Sequence, residues 1–128
     1  TPGVNIGLFC STPMVAVSRN ISRKKIMEML LTGEKLNAQE AVQFGLINKC
    51  VPLERLQVDT LNLAKLIASK PTSTVKIGKE AFYKQVDMSL DDAYNYTSEV
   101  MAINMMEIDA HEGISAFLDK RTPSWHEN

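Results

Sequence analysis

The sequence has few of the residues that break helices, close tight turns or fill a β-sandwich. Its 128 residues include only 6 Gly and 5 Pro, and 6% of them are aromatic. This scarcity favours helices over short strands joined by glycine-rich and proline-rich turns. The 2 cysteines, Cys10 and Cys50, cannot form a disulfide framework, and their spacing matches no zinc-binding pattern. We therefore expect two reduced thiols.

An excess of charge and a long apolar run are also missing. The 14 basic residues nearly balance the 15 acidic ones and give a net charge of −1, which excludes a strongly basic surface for nucleic acid or anionic lipid. No segment approaches the ~18 uninterrupted apolar residues of a membrane span. Hydrophobic residues make up 45% of the chain, as in an ordinary globular domain. Because the chain begins at Thr1 without a leader pattern, we expect any targeting segment to lie upstream.

Signals for helix starts are frequent along the chain. Ser22 precedes a helical apolar pattern, and Asn37 with Glu40 three positions later forms a capping box. We predict roughly five to seven helices. Their starts are expected near Pro13, Ser22, Asn37, Pro52, Thr72 and Ser89, and a last helix is expected to follow Glu112-Gly113 and run to about Arg121. Two segments, 1–10 and 46–51, are predicted to be extended.

Two apolar surfaces are predicted on the later helices. The first is an apolar stripe at helical spacing, formed by Leu53, Leu56, Leu63 and Ile67. The second is a methionine patch, formed by Met101, Met105 and Met106. We interpret both as contacts with other protein, in a core or between subunits. Contact with an acyl chain is the alternative interpretation of the methionine patch.

Few residues could carry chemistry by themselves. A nucleophilic Cys10 would need an activating partner such as histidine, but His111 and His126 are far away in sequence, so a buried thiol is the favoured interpretation. The pair His111-Glu112 lacks the second histidine of a zinc-protease helix, and we predict no metal site. The sequence has no glycine-rich phosphate loop and no G-x-S-x-G motif. These residues alone leave the function open.

Three blocks of sequence carry a resemblance to a known family. Residues 27–52 read MEMLLTGEKLNAQEAVQFGLINKCVP, residues 112–121 read EGISAFLDKR, and the chain opens with the segment PGVNIG at residues 2–7. In this order and spacing the blocks resemble the crotonase (enoyl-CoA hydratase/isomerase) superfamily along the whole chain. The resemblance implies an α/β fold, the ClpP/crotonase-like spiral of ββα turns followed by a helical C-terminal region.

The resemblance also implies how the chain is divided. Residues 1–52 would be the end of the spiral core, and residues 53–128 the C-terminal helical oligomerisation region of a homotrimer or a dimer of trimers. The chain would then be the mainly α-helical C-terminal half of a family member, and we expect the other half to lie upstream. The members that it resembles are mitochondrial and belong to fatty-acid and lipid metabolism.

The catalytic machinery of the family is incomplete in this chain. Family hydratases hold the thioester oxygen with two backbone N–H groups and use two glutamates as general base and acid. The N–H donors and the first glutamate are expected upstream, and the second glutamate falls on Gly3, which has no proton-accepting group. We therefore predict no catalytic residue here and weak or absent hydratase activity. A Gly3→Glu substitution is expected to restore one carboxylate without preventing folding.

Two positions match the family's coenzyme A site. Phe117 and Lys120 fall where family members contact the adenine and the 3′-phosphate of a coenzyme A bound by a neighbouring subunit. A packed Phe117 with Lys120 in solvent is the alternative. No metal and no further cofactor is implied, and the expected ligand is an acyl-CoA thioester rather than nucleic acid or membrane. A non-catalytic oligomerisation or interaction module is the second hypothesis for the function.

Overall fold

The computed structural model describes residues 1–126, which fold into helices joined by short turns, with no strand in that range. The 3-10 helices are Pro2–Ile6 and Leu53–Arg55. The α-helices are α1 (Pro13–Val17), α2 (Arg23–Thr32), α3 (Ala38–Gln43), α4 (Leu56–Ala68), α5 (Thr72–Gln85), α6 (Leu90–Met105) and α7 (Ile108–Leu118). The predicted mainly helical structure is confirmed, whereas both predicted extended segments are wrong.

The chain divides into two compact units, Thr1–Leu56 and a second unit that begins at Gln57. This division lies close to the boundary predicted at residue 52. The assignment of the two parts to a spiral core and an oligomerisation region stays a prediction.

The first residues form a tight helical turn instead of an extended segment. Pro2 stands in the first turn of the 3-10 helix, where its fixed φ suits the helix and its missing N–H costs nothing. Gly7 ends that helix with a φ of 77°, a left-handed conformation that glycine adopts without steric cost. Leu8 N–H then donates to the Gly3 carbonyl at 2.9 Å. These local bonds, which the apolar pattern did not reveal, satisfy the backbone that a strand would have left open.

The core of the first unit is built on α2. Ile26 and Leu30 are each 3% exposed, and Met29 and Ile21 complete a cluster of buried side chains. The cap that precedes α2 is confirmed, since Lys25 N–H donates to the Ser22 hydroxyl. The predicted capping box of Asn37 and Glu40 is also confirmed at the start of α3.

The segment at 46–51 turns back onto α3. The backbone N–H groups of Leu46 and Ile47 both donate to the Ala41 carbonyl, at 2.8 and 3.3 Å. One carbonyl of α3 thus accepts from two N–H groups that a strand would need for pairing with a partner. The apolar run therefore forms a turn, and its hydrophobic character reflects packing of Leu46 against the first core.

The second unit is built on the contacts of α6 with α5 and with α7. The Lys84 ammonium lies 4.5 Å from the centre of the Tyr96 ring, which links α5 to α6. Ser89 caps α6 as predicted, because Asp92 N–H donates to its hydroxyl. The predicted start of the last helix is wrong. Its true N-cap is Glu107, which is extended and separates α6 from α7.

Both apolar surfaces are open to solvent in the described chain. In the apolar stripe, exposure ranges from 44% for Leu63 to 84% for Leu53, and in the methionine patch Met106 is 79% exposed. Packing in a core of residues 1–126 is therefore excluded for these side chains, and an interface with other protein stays a prediction. None of the helices in that range combines the length and the apolar character that a membrane crossing needs.

Candidate functional site

Gly3 lies in the N-terminal 3-10 helix with no room for a side chain. Its N–H donates to Cys10 Sγ at 3.3 Å, and its carbonyl accepts from Leu8 N–H. A Cβ atom added to Gly3 would lie 2.7 Å from the Leu8 carbonyl oxygen and 2.8 Å from Cys10 Sγ. Both distances are shorter than real Cβ contacts. A Gly3→Glu side chain would therefore require the Leu8 backbone to shift, and the expectation that this variant still folds stays a prediction.

Cys10 has a packing role in this arrangement. The side chain is half-buried against the core of the first unit, and its sulfur accepts the hydrogen bond from Gly3. Sulfur is a weak acceptor, so the contact closes the turn mainly by filling space. The interpretation of Cys10 as a packed thiol agrees with this position, while Cys50 is exposed.

Phe117 and Lys120 lie at the C-terminal end of α7. Phe117 is 82% exposed although it neighbours Ala116, which is 1% exposed. Packing of Phe117 in a core of residues 1–126 is therefore excluded, and the two interpretations of its role stay predictions. Lys120 is also exposed, and no partner within residues 1–126 is recorded for its ammonium group. The two side chains offer a flat apolar ring and a cation at neighbouring positions of one turn.

The backbone at Lys120 has an unusual conformation. Its φ is 54°, in the left-handed region that non-glycine residues rarely adopt. Lys120 N–H donates to the Phe117 carbonyl at 3.3 Å, and Arg121 N–H donates to the Ala116 carbonyl at 3.0 Å. These are the two hydrogen bonds of a Schellman motif, which commonly has glycine at the left-handed position.

An ion pair holds the residue that follows Lys120. Arg121 donates to both carboxylate oxygens of Glu112, at 2.6 and 2.9 Å, and Ser124 N–H donates to the same carboxylate at 2.7 Å. The hydrogen bonds from Arg121, and then the one from Ser124, lower the pKa of Glu112 from 4.5 to about 2. The same pairing raises the pKa of Arg121 further above its already high value. Sequence reasoning missed this pair, since the two residues are nine positions apart and meet only after the turn.

The last described residues fold back along the second unit. We call Arg121 to His126 the C-terminal strap. The Trp125 indole N–H donates to the Ser69 carbonyl at 2.9 Å, just beyond the end of α4, and His126 N–H donates to Asp109 at 2.8 Å. Asp109 is 5% exposed, so this bond satisfies a buried carboxylate. The strap therefore ties both ends of α7 to one surface.

Metal-ligating side chains do not cluster in the described part of the chain. No cluster of three or more His, Cys, Asp or Glu side chains could hold an ion there. His111 itself is exposed on α7.

Comparison with known proteins decides the family. A family model described as "Enoyl-CoA hydratase/isomerase" matches residues 1–128. The chain belongs to the enoyl-CoA hydratase/isomerase family. It is 51% identical to "Enoyl-CoA hydratase domain-containing protein 3, mitochondrial" of mouse over 98% of this chain and 42% of that protein. For the human protein of that name the identity is 52%, over 98% of this chain and 41% of the relative.

Solved structures of the family confirm the fold. A crystal structure of an enoyl-CoA hydratase from Mycobacterium smegmatis matches with a TM-score of 0.94 and 45% identity, over 98% of this chain and 49% of the other. The human enoyl Coenzyme A hydratase domain-containing protein 3 matches with a TM-score of 0.92 and 51% identity, again over 98% and 49%. The chain thus has the α/β crotonase fold of this family as its mainly helical C-terminal half. It spans less than half the length of these relatives.

Proposed function

We propose that this chain belongs to a crotonase-like protein that binds acyl-CoA thioesters in mitochondrial lipid metabolism and hydrates enoyl-CoA weakly or not at all. The family assignment supports the ligand class. Relatives from mouse, human and Dictyostelium discoideum that carry mitochondrial names support the compartment. The main observation that supports weak hydratase activity is that Leu8 and Cys10 fill the space beside Gly3.

The argument for weak activity starts from what a general acid or base requires. Such a residue must place a titratable group within hydrogen-bond reach of the reacting atom. Gly3 has no such group, and the Leu8 carbonyl and Cys10 Sγ occupy the space into which a side chain would grow. Loss of one acid–base group typically lowers the rate by ~10²–10⁴. The packed turn at Gly3 therefore supports the proposal that this position supplies no carboxylate to the reaction.

The argument for acyl-CoA binding rests on the end of α7. An aromatic ring that is 82% exposed keeps a large apolar surface in water, and stacking on a flat purine would cover it. A lysine ammonium suits a phosphate group as a compact point charge. Phe117 and Lys120 together therefore fit the adenine and the 3′-phosphate of coenzyme A. In the proposed homotrimer or hexamer, that coenzyme is bound mainly by a neighbouring subunit.

The exposed apolar surfaces favour a second function. A non-catalytic oligomerisation or interaction module would use the apolar stripe and the methionine patch. Every side chain of these two surfaces is exposed. Contiguous apolar patches of more than a few hundred Å² usually mark protein interfaces. This hypothesis differs from the first because it needs no ligand at Phe117 and Lys120.

Ligand binding and turnover by the full-length protein separate the two hypotheses. Equilibrium dialysis would measure the affinity for butyryl-CoA, and the loss of absorbance from the conjugated enoyl group would measure hydration of crotonyl-CoA. We expect Lys120→Ala to weaken butyryl-CoA binding about tenfold, which is typical of a lost hydrogen bond to a charged group. Lys79→Ala, which removes an exposed lysine on α5, is the matched control and should bind like the wild type.

Two results would contradict the proposal. Absence of measurable butyryl-CoA binding by the wild type would favour the interaction module. Hydration of crotonyl-CoA at the rate of an ordinary hydratase would show that Gly3 does not limit activity.

A further inference from the structure

Lys120 combines an exposed cation with an unfavourable backbone conformation. Among residues 1–126 it is the one non-glycine residue with a positive φ. In this region the Cβ of an L-residue crowds its own backbone, whereas glycine has no such penalty. Strained residues of this kind persist where the surrounding structure enforces them, and they cluster at functional sites. Two points about Lys120 therefore need an explanation. One is which residues hold its backbone in the left-handed conformation, and the other is why this position has a lysine instead of a glycine.

The left-handed turn moves Lys120 away from a buried face. If α7 continued for two more residues, through Lys120, that residue would lie one helical turn after Ala116, on the same face. Ala116 is 1% exposed, so that face is covered by other residues of the chain. The turn instead ends the helix at Leu118 and leaves the side chain of Lys120 exposed.

The Glu112–Arg121 pair is placed to enforce this turn. Arg121 follows Lys120 directly, and its guanidinium is fixed by two hydrogen bonds to Glu112. Glu112 is fixed in turn by Ser124 N–H, and Trp125 anchors the strap at Ser69. Continuation of α7 as a helix through Arg121 would break these bonds, because residues nine positions apart lie about two and a half turns apart, on opposite faces of a helix.

The Glu112–Arg121 pair also determines which of the two neighbouring cations, Lys120 or Arg121, could bind a phosphate. Both carboxylate oxygens of Glu112 engage Arg121, and Asp119 lies 3.6 Å from Arg121 Nε. The charge of Arg121 is therefore balanced by neighbouring carboxylates, while the side chain of Lys120 is exposed to solvent. Among residues 1–126, Lys120 is therefore the cation of this turn that a phosphate would meet without an ion-pair partner.

We propose that Glu112 and Arg121 are positioning residues: by closing the strap they hold Lys120 in its left-handed conformation and direct its ammonium to the 3′-phosphate of coenzyme A. The inference rests on the proposed coenzyme contact of Lys120. It assigns a role to two residues that touch no ligand themselves.

A double-mutant cycle on the full-length protein tests this role. Calorimetric titration would compare coenzyme A with 3′-dephospho-coenzyme A for the wild type, Glu112→Gln, Lys120→Ala and the double variant. Glutamine keeps the size of glutamate but loses the charge that binds Arg121. We expect Glu112→Gln to weaken coenzyme A binding roughly three- to tenfold without changing the affinity for the dephospho ligand. In the Lys120→Ala background, Glu112→Gln should cause no further loss.

The outcomes distinguish this inference from the proposed function. If Lys120→Ala binds coenzyme A like the wild type, the coenzyme contact itself is wrong. If Lys120→Ala weakens binding but Glu112→Gln does not, or weakens both ligands equally, only the positioning role is overturned. Full additivity of the two losses would overturn it as well.

A second variant keeps the test independent of how Glu112→Gln folds. Lys120→Gly removes the ammonium and also the backbone strain. It should lose coenzyme A affinity as Lys120→Ala does, while its Tm rises by roughly 2 °C above the wild type. A Tm at or below that of the wild type would show that Lys120 is not held under strain.

Discussion

Replacement of Gly3 by alanine tests how tightly the N-terminal turn is packed. The added methyl group would lie 2.7 Å from the Leu8 carbonyl oxygen and 2.8 Å from Cys10 Sγ. Overpacking of this kind costs about 1–3 kcal/mol. Alanine also restricts the unfolded chain, which offsets about 0.4–1 kcal/mol. We therefore expect Gly3→Ala to lower the free energy of unfolding by about 1–2 kcal/mol.

Urea unfolding followed by circular dichroism measures this change, and Gly78→Ala is the matched control. Gly78 lies inside α5, and apart from the backbone of that helix and the two neighbouring residues, no atom of the described chain lies within 4 Å of an added Cβ. The same chemical change there should raise the free energy of unfolding by about 0.5–1 kcal/mol, since alanine is the better helix former. The two substitutions thus have opposite predicted signs, which separates packing from intrinsic propensity.

Cys10 supplies one of the two close contacts and so provides a further check. Cys10→Ala removes the sulfur but leaves the Leu8 carbonyl in place. The double variant should therefore recover part, but not all, of the stability that Gly3→Ala loses. The reasoning is refuted if Gly3→Ala is as stable as the wild type, or if Cys10→Ala gives no recovery.

Three further predictions address activity, pH and association. Gly3→Glu should not raise crotonyl-CoA hydration above the wild type, because the Leu8 carbonyl blocks the side chain, and an increase of ~10² or more would contradict this. The pKa of Glu112 is lowered from 4.5 to about 2, so its pairing stabilises the fold fully above pH 4.5 and is lost as the pH falls toward 2. Glu112→Gln should lack that stability loss in acid titrations, and a loss equal to that of the wild type would contradict it. Leu63→Glu should shift light scattering toward smaller species by placing a charge in the apolar stripe, while an unchanged mass would argue against an interface there.

Local signals in the sequence predicted the caps of the helices well. Ser22, Asn37 and Ser89 each accept a backbone hydrogen bond from the residue three positions later. These bonds involve only neighbours in sequence, so their chemistry can be predicted without knowledge of the fold. The family resemblance, which rests on longer motifs, likewise predicted the fold that the solved relatives confirm.

Features that no side-chain hydrogen bond marks in the sequence could not be predicted in this way. The apolar run at 46–51 looks like a strand, but two of its N–H groups donate to Ala41, and this turn replaces strand pairing. The start of α7 was misplaced because Glu107 has no capping side-chain bond that the sequence would reveal. Apolar periodicity continued through the break between α6 and α7.

The candidate site shows the same limit. The motif identified Gly3, Phe117 and Lys120, but it gave no information about the space around them. The closure beside Gly3 arises from residues five and seven positions away, Leu8 and Cys10, which approach only because Gly7 turns the chain. The left-handed backbone of Lys120 is likewise set by the hydrogen bonds of the turn at the end of α7. A lysine in the sequence does not predict this conformation.

Calorimetric titration of the full-length protein with crotonyl-CoA tests the central claim most directly, because it detects binding and turnover in one experiment. The account predicts heats that saturate as sites fill, with the signal returning to the baseline after each injection. A sustained heat of hydration after each injection would contradict the proposed loss of activity at Gly3. Injection heats no larger than those of dilution would contradict acyl-CoA binding and leave the interaction module as the function.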